Sequence, residues 1–383
     1  MYHKVIAFIF LIILYTNSYS QNAGIEPILE IGASELLGTF ITDVDMGPDG
    51  VIAVALNDLS RVHLYDLQGE LINEYGTSGR GPGDFNNLMS VHVSNSIIYA
   101  MDSGPGGKVN AFDRDDPSNF QANGIPRFSN SFPLRMWALS EEKFLVEYRP
   151  SYSNINIGKE IMSTYSVISI HNESMFDQVF QHESAEMFVN SSNGGFSVSD
   201  MPYGRENHII PIDDEIFHNW SGKKNVTRIN INNADTIDVV EPQFSVDRIS
   251  LNDQDYRRYF YRELGISDRD NLSEVIQQLS TDASSRARIR GLQAKLENRE
   301  ELHSTFPVYE WVVGDSGSLC FGIPASDRSV TRVECTDLNG EKRQSGKIDS
   351  SVDVFGLHDH YLYGTRILDR GMTSVVVYEI TDR

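Results

Sequence analysis

Cysteine is nearly missing from this chain: 383 residues contain two, Cys320 and Cys335. No histidine flanks either one in sequence, which argues against a nucleophilic thiol activated by an adjacent base. No cysteine stands near the N-terminal apolar run, so lipid attachment of the bacterial lipoprotein kind is not expected. Basic residues are few, 32 Lys and Arg against 54 Asp and Glu, a formal net charge of −22. Nucleic acid and anionic lipid both need basic surface, so neither is an expected partner. The longest uncharged apolar run, Val5–Leu14, is too short to cross a bilayer, which takes roughly 20 residues. No Gly-x-Ser-x-Gly elbow and no His-Glu-x-x-His is present, which removes the common serine-hydrolase and zinc-protease signatures.

What is there begins with an address. Lys4, the apolar run behind it and Ser18-Tyr19-Ser20 read as an export signal over residues 1–20, with cleavage after Ser20. Removing it takes one lysine and no acid, so 31 basic against 54 acidic residues leave −23. The expected location is the periplasm or the extracellular space, with no membrane insertion.

Beyond the signal one pattern returns: a strand, a Gly/Asp/Asn turn, a second strand, another turn. It is cleanest in Val51–Gly76, Ile97–Phe112, Leu319–Gly340 and Tyr361–Ile380. Repeats of roughly 40–50 residues with about four strands each are blades of a β-propeller. Second strands begin near Val51, Ile97, Phe144, Ile216, Leu319 and Tyr361, at steps of 46, 47, 72, 103 and 42 residues. This spacing predicts an all-β, six-bladed propeller over residues 21–383. The last unit has three strands, and Ile28–Ile31 is a strand without a blade, so the N-terminal strand is expected to complete the ring. Two intervals are long. Arg149–Ser163 and Gln181–Arg205 read as loops of the third unit. Residues 250–305, between blades four and five, read as a helical insertion: Asp255–Arg262, Leu272–Leu279 and Ala283–His303. Propeller topology puts that insertion at one mouth of the central channel, as a lid or arm, or as a brace on the flank.

The Gly76-Thr77-Ser78-Gly79-Arg80-Gly81-Pro82-Gly83-Asp84-Phe85 loop, with Ile98–Asp102 and Lys108–Asp113, resembles exported bacterial six-bladed propellers related to NHL-repeat proteins. The resemblance covers Phe40–Asp113 and implies architecture and export; it leaves the activity open. Asp84 stands where that family usually has glutamate. The glycines are explained by a tight crossover with positive φ.

Several side chains are candidates for chemistry. Loops assigned to the channel mouth carry Arg80, Lys108, Arg149, Arg328 and Arg366, together with Lys159, Lys223, Lys224 and Arg370. They either form a basic rim for an anionic small molecule, a glycan or a cell-envelope protein, or pair locally with Asp58, Asp102, Glu160, Asp327 and Asp369. Asn57, Asp102, Glu147 and Asn219, at second-strand ends of four blades, are hard oxygen donors that would suit Ca²⁺ or Mg²⁺ in a propeller hydrolase, lactonase or lyase. No cofactor is otherwise expected. Asp102 equally fits a turn cap, and Glu147 a local pair with Arg149. Cys320 and Cys335 flank a symmetric hairpin centred on Pro324–Ser329. Cross-strand placement would allow a disulfide worth about 3 kcal/mol, or leave two buried thiols. His208 and His218 read as packing residues of one blade, and Trp137 and Trp311 as equivalent first-strand residues. The leading function is a non-catalytic binding propeller.

Overall fold

The structure, a computed structural model, describes residues 24–32, 39–125, 131–140, 143–150, 161–172, 175–192, 195–264, 302–326, 329–368 and 373–380. The export signal, Lys159, Arg328, Arg370, the helix expected over Leu272–Leu279 and most of the one expected over Ala283–His303 lie outside these residues; Leu302 and His303, at the end of the latter, are described and are not helical.

Five four-stranded antiparallel sheets and one five-stranded sheet follow each other along the chain. The first blade is Ile41–Met46, Ile52–Leu56, Arg61–Tyr65 and Leu71–Tyr75. The second is Leu88–Val93, Ile97–Asp102, Lys108–Asp113 and Phe120–Gly124. The third is Ser131–Ser140, Lys143–Pro150, Ile161–Asn172, Met175–Ser192 and Gly195–Asp200. The fourth is Asn207–Ile212, Glu215–Trp220, Val226–Asn230 and Thr236–Val240. The fifth is Trp311–Gly314, Leu319–Pro324, Val330–Thr336 and Lys342–Asp349. Val352–His358, Tyr361–Ile367 and Thr373–Glu379 make the last blade with the N-terminal strand Pro27–Ile31.

At five of the six junctions first strands stand next to one another, from Ile41–Met46 beside Leu88–Val93 back to Val352–His358 beside Ile41–Met46; between the third and fourth blades it is Met175–Ser192 that approaches Asn207–Ile212. The closure is the expected one: Ile31 pairs with Val375 and Leu29 with Val377. Arg366 pairs with Glu30, whose other oxygen accepts the Ser374 hydroxyl at 2.8 Å. Arg366 is therefore engaged at the seam of the ring.

Burial explains the strand sequences. Second strands are covered on both faces by neighbouring blades, so Ile52–Leu56 and Leu319–Pro324 are buried at every position. Fourth strands are outer edges, and Phe120–Gly124 is exposed throughout. Apolar clusters fill the seams between blades. Ala53, Val62, Phe85 and Ile98 join blades one and two, and Trp311, Cys320, Leu362 and Val376 join five and six. The larger of these, such as Val62, Phe85, Ile98, Leu362 and Val376, contribute about 1.5–3 kcal/mol each when buried. Among the described residues the seam between blades three and four has the fewest fully buried members: Leu145, Ile209, Ile216, Ile229 and Ile231.

The structure corrects the reading of Gln181–Arg205 as a loop. Met187 pairs with Asp200 and Ser192 with Gly195, so most of it is a hairpin that adds a fifth strand. The sequence between these strands, Asn193-Gly194, is the pair favoured by two-residue hairpin turns. The first helix of the insertion runs Asp253–Leu264, two residues earlier than expected at its start. The cause is a reciprocal cap: Asn252 Oδ1 accepts from the Gln254 and Asp255 amides, and Asp255 Oδ2 accepts from the Asn252 amide at 2.9 Å. Tyr256 of the helix packs with Phe188 and Met201 of the third blade and Leu302, and the Tyr203 hydroxyl donates to the Asp255 carbonyl at 2.7 Å.

Cys320 and Cys335 are register partners in the fifth blade and form a disulfide. Among the described residues no helix is long and apolar enough to cross a membrane.

Candidate functional site

The first strands enclose a central cavity of about 1450 Å³, with wall residues from every blade. Asp255, Arg258 and Tyr259 of the helix, with Met201 and Tyr203, extend that wall. The inserted helix therefore contributes to the cavity as well as bracing the third-blade hairpin.

The innermost strand of a blade has one edge without a strand partner, and side chains of the preceding blade satisfy it. Asp43 Oδ2 accepts from the Ser90 hydroxyl at 2.7 Å and the Val91 amide at 3.0 Å. Asp45 Oδ2 accepts from the Val93 amide at 2.8 Å and faces His92 Nδ1 at 3.1 Å, while Oδ1 accepts from the Tyr363 hydroxyl at 2.9 Å. The two carboxyls, two residues apart, titrate in opposite directions. Burial raises Asp43 to about 6 against the Ser90 and Val91 hydrogen bonds. Burial also raises Asp45, but the His92 charge and the hydrogen bonds from His92, Val93 and Tyr363 reverse this and hold it below its ordinary value. Burial lowers His92, and the Asp45 carboxylate more than restores it, so its pKa is raised.

Opposite charges stand further round the ring. Arg135, exposed in the first strand of the third blade, and Glu206, exposed just before the first strand of the fourth, both line the cavity. Partial desolvation by the surrounding wall raises Glu206 although the residue opens onto the cavity, Asp200 and Asp353 add to the rise, and Arg135 and Arg149 oppose it. Among the described wall residues ten are carboxylates and two, Arg135 and Arg258, are guanidiniums.

A second polar group lies in the seam between blades three and four. The His182 and His218 rings are 5.4 Å apart, and Asn207 Nδ2 donates to the Glu183 carbonyl beside them. His182 Nε2, His208 Nε2, His218 Nε2, Asn207 Oδ1 and Asn219 Oδ1 are buried without a hydrogen-bond partner among the described residues. Burial depresses all three imidazoles; His218 falls to about 4 with help from His182 and Lys223, and His208 to about 3 with help from Arg135 and His218. The Glu147 carboxylate acts on His182 in the opposite sense.

The residues expected from sequence are only partly brought together. Arg80 is exposed on the Gly-rich loop, away from the cavity wall. That loop is held from within: Asp84 accepts from the Thr77 hydroxyl at 2.6 Å and the Gly81 amide at 3.1 Å, and Gly76 has φ +80° with the Phe85 ring where a Cβ would stand. Lys108 donates to the Gly81 carbonyl of the same loop. Arg149 is outside the wall, but its charge reaches Glu206, and its Nε is buried without a hydrogen-bond partner among the described residues. The Lys224 ammonium stands 5.8 Å from the Phe244 ring.

Of the oxygen donors expected for a metal, Asp102 accepts from the Asn86, Asn87 and Gly104 amides at 3.1, 2.9 and 2.9 Å, the geometry of a turn cap. Asn57 Nδ2 donates to Asn87 Oδ1 at 3.0 Å and to the Leu88 carbonyl. Asn219 Nδ2 donates to the Lys223 and Asn225 carbonyls, and Glu147 is buried beside the histidine seam. No group of three or more His, Cys, Asp or Glu side chains is gathered for a metal ion among the described residues. Sequence reading missed Asp43, Asp45, His92, Arg135 and Glu206. For Asp43 and Asp45 the one signal was a polar residue at alternate positions of a first strand, Thr42-Asp43-Val44-Asp45-Met46.

No family model matches the chain, and no curated protein matches it in sequence. Solved structures resemble it at low identity. A protein of Bacteroides fragilis described as exported is 13% identical, covering 93% of this chain and 94% of that one, with a TM-score of 0.47. Virginiamycin B lyase from Staphylococcus aureus is 9% identical, with 91% and 98% covered and a TM-score of 0.43. A luciferin-regenerating enzyme is 11% identical, with 93% and 95% covered and a TM-score of 0.46. At this level of likeness none of them bears on function, and the class, a β-propeller, rests on the sheets and their order.

Proposed function

We propose that this protein is an exported, non-catalytic binding propeller that captures a ligand in its central cavity, on the loop-rich face beside the inserted helix. The observation that carries the reading is the shared wall, to which every blade and the helix contribute polar side chains. Export is supported by the N-terminal signal pattern and by the disulfide, which suits an oxidising compartment. Kinship with exported NHL-repeat-like propellers is part of the proposal and rests on the Gly76–Phe85 loop. The ligand is drawn from carboxylated small molecules, glycans and segments of envelope proteins. The test is a saturation-transfer NMR screen of such compounds against the full chain and a Val354→Trp variant, which adds an indole to the cavity wall. Binding that the variant weakens supports the reading; absence of binding by every compound, or binding that the variant leaves unchanged, overturns it.

A second reading, an enzyme, is favoured by the Asp45–His92 pair, in which a carboxylate orients an imidazole at a cavity wall. It is tested by assaying lactone and ester hydrolysis with His92→Gln as control and measuring Ca, Mg and Zn content. Turnover lost in the variant would move the enzyme ahead of the binding propeller.

A further inference from the structure

Two charged side chains in the cavity wall make no hydrogen bond and no ion pair among the described residues, the guanidinium of Arg135 and the carboxylate of Glu206. The Arg135 charge acts through space on Asp43 and His208 as well as on Glu206. Arg135 and Glu206 sit on adjacent blades, Arg135 drawing the Glu206 pKa down, yet they do not approach within ion-pair distance. The gap between Arg135 and Glu206 is therefore open to a molecule that carries both complementary charges. Aromatic residues Trp137, Tyr203, Tyr259, Phe306 and Phe355 belong to the same wall. They offer apolar faces next to the charged pair. The volume exceeds that of a usual small-molecule site, about 300–1,000 Å³, so it has room for more than one residue.

The sign of the surroundings narrows the ligand. Asp43, Asp200 and Asp353 stand with Glu206 in the wall, and only Arg135 and Arg258 oppose them among the described lining residues. A dianion would meet net repulsion, whereas a molecule whose carboxylate is matched by its own ammonium would not. Arg grips a carboxylate through two parallel hydrogen bonds, and a carboxylate takes an ammonium as a compact donor.

We propose that the cavity binds a free amino acid or short peptide as a zwitterion, with its carboxylate on Arg135, its ammonium on Glu206 and an aromatic or aliphatic side chain on the aromatic wall. This rests on the reading of the cavity as the ligand site and names the ligand class. Both anchors are exposed in the cavity, so replacing them is expected to leave the fold intact, which near-UV circular dichroism checks.

The experiment is calorimetric titration of the full chain with Phe-Phe, N-acetyl-Phe-Phe and Phe-Phe amide. Free Phe-Phe is expected to bind, with each capped form weaker by about tenfold or more, since each loses one charge-assisted contact. Arg135→Met should then bind the acid and the amide alike, and Glu206→Gln the amine and the acetylated form alike. Capped peptides that bind as well as Phe-Phe would overturn the inference, as would variants that keep both preferences. Absence of binding by all three peptides also overturns it. In that event the Val354→Trp screen decides separately whether the cavity binds another class of ligand.

Discussion

Acid should loosen this propeller at one seam. His208 and His218 have folded pKa values of about 3 and about 4 against an ordinary 6.5, because both are buried beside other positive or potentially positive groups. The unfolded chain takes up these protons as pH falls through 6.5, while the folded chain does not until pH 4 or below. Between those values the unfolded state binds more protons, so stability falls with falling pH. At pH 4.5 each histidine should remove about 2–3 kcal/mol, and the pair about 5 kcal/mol, relative to pH 7.5. His182 adds in the same direction, opposed by Glu147. The seam is poorly placed to absorb this, having the smallest set of fully buried apolar residues among the described ones. Carboxylates with depressed pKa, such as Asp45 and Glu186, also cost stability in acid, so the histidine share must be isolated. Urea unfolding at pH 7.5 and 4.5, for the native chain and for His208→Gln/His218→Phe, does so. The variant should lose about 5 kcal/mol less on acidification. Equal losses in both proteins would refute the argument, because the two imidazoles would then titrate normally in the fold.

Four further outcomes follow from packing and from the disulfide. Ile31, 2% exposed in the closing strand, should cost about 3 kcal/mol as Ile31→Ala in urea unfolding, a core value from a residue near the chain end. Deleting residues 21–32 should lower the melting temperature of the whole molecule in one transition, since the last blade then loses its fourth strand. A Cβ on Gly322 would stand 2.2 Å from the Trp311 ring, so Gly322→Ala should destabilise by about 1–3 kcal/mol and alter the near-UV tryptophan signal. Replacing both cysteines by alanine should cost about 3 kcal/mol, because the disulfide spans a separation of 15 residues.

The parts of the molecule that were legible in sequence are those set by neighbours along the chain. Pro48-Asp49-Gly50 and Asp337–Gly340 announce turns, and the fully apolar runs Ile52–Leu56 and Leu319–Pro324 announce strands covered on both faces. The orphan strand at Pro27–Ile31 and the incomplete last unit together announce the closure. The cross-strand cysteines follow from hairpin symmetry. Where the sequence leaves alternatives open, the deciding partner is distant. Arg366, on a mouth loop, fits a ligand contact or an ion pair, and its partner Glu30 is 336 residues away. Asp102 fits a metal donor or a turn cap, and two of the amides it accepts from belong to the preceding crossover, at Asn86 and Asn87.

The sequence by itself determined the strand–turn repeat, the closing strand and the cross-strand placement of the two cysteines, since each depends on spacing and on which residues tolerate burial or a tight turn. Only the tertiary structure decided the site. Arg135 and Glu206 lie 71 positions apart (206 − 135), and Asp45 meets Tyr363 across 318. Whether such side chains face one cavity depends on the rotation of each blade against the next, and no local pattern encodes that angle.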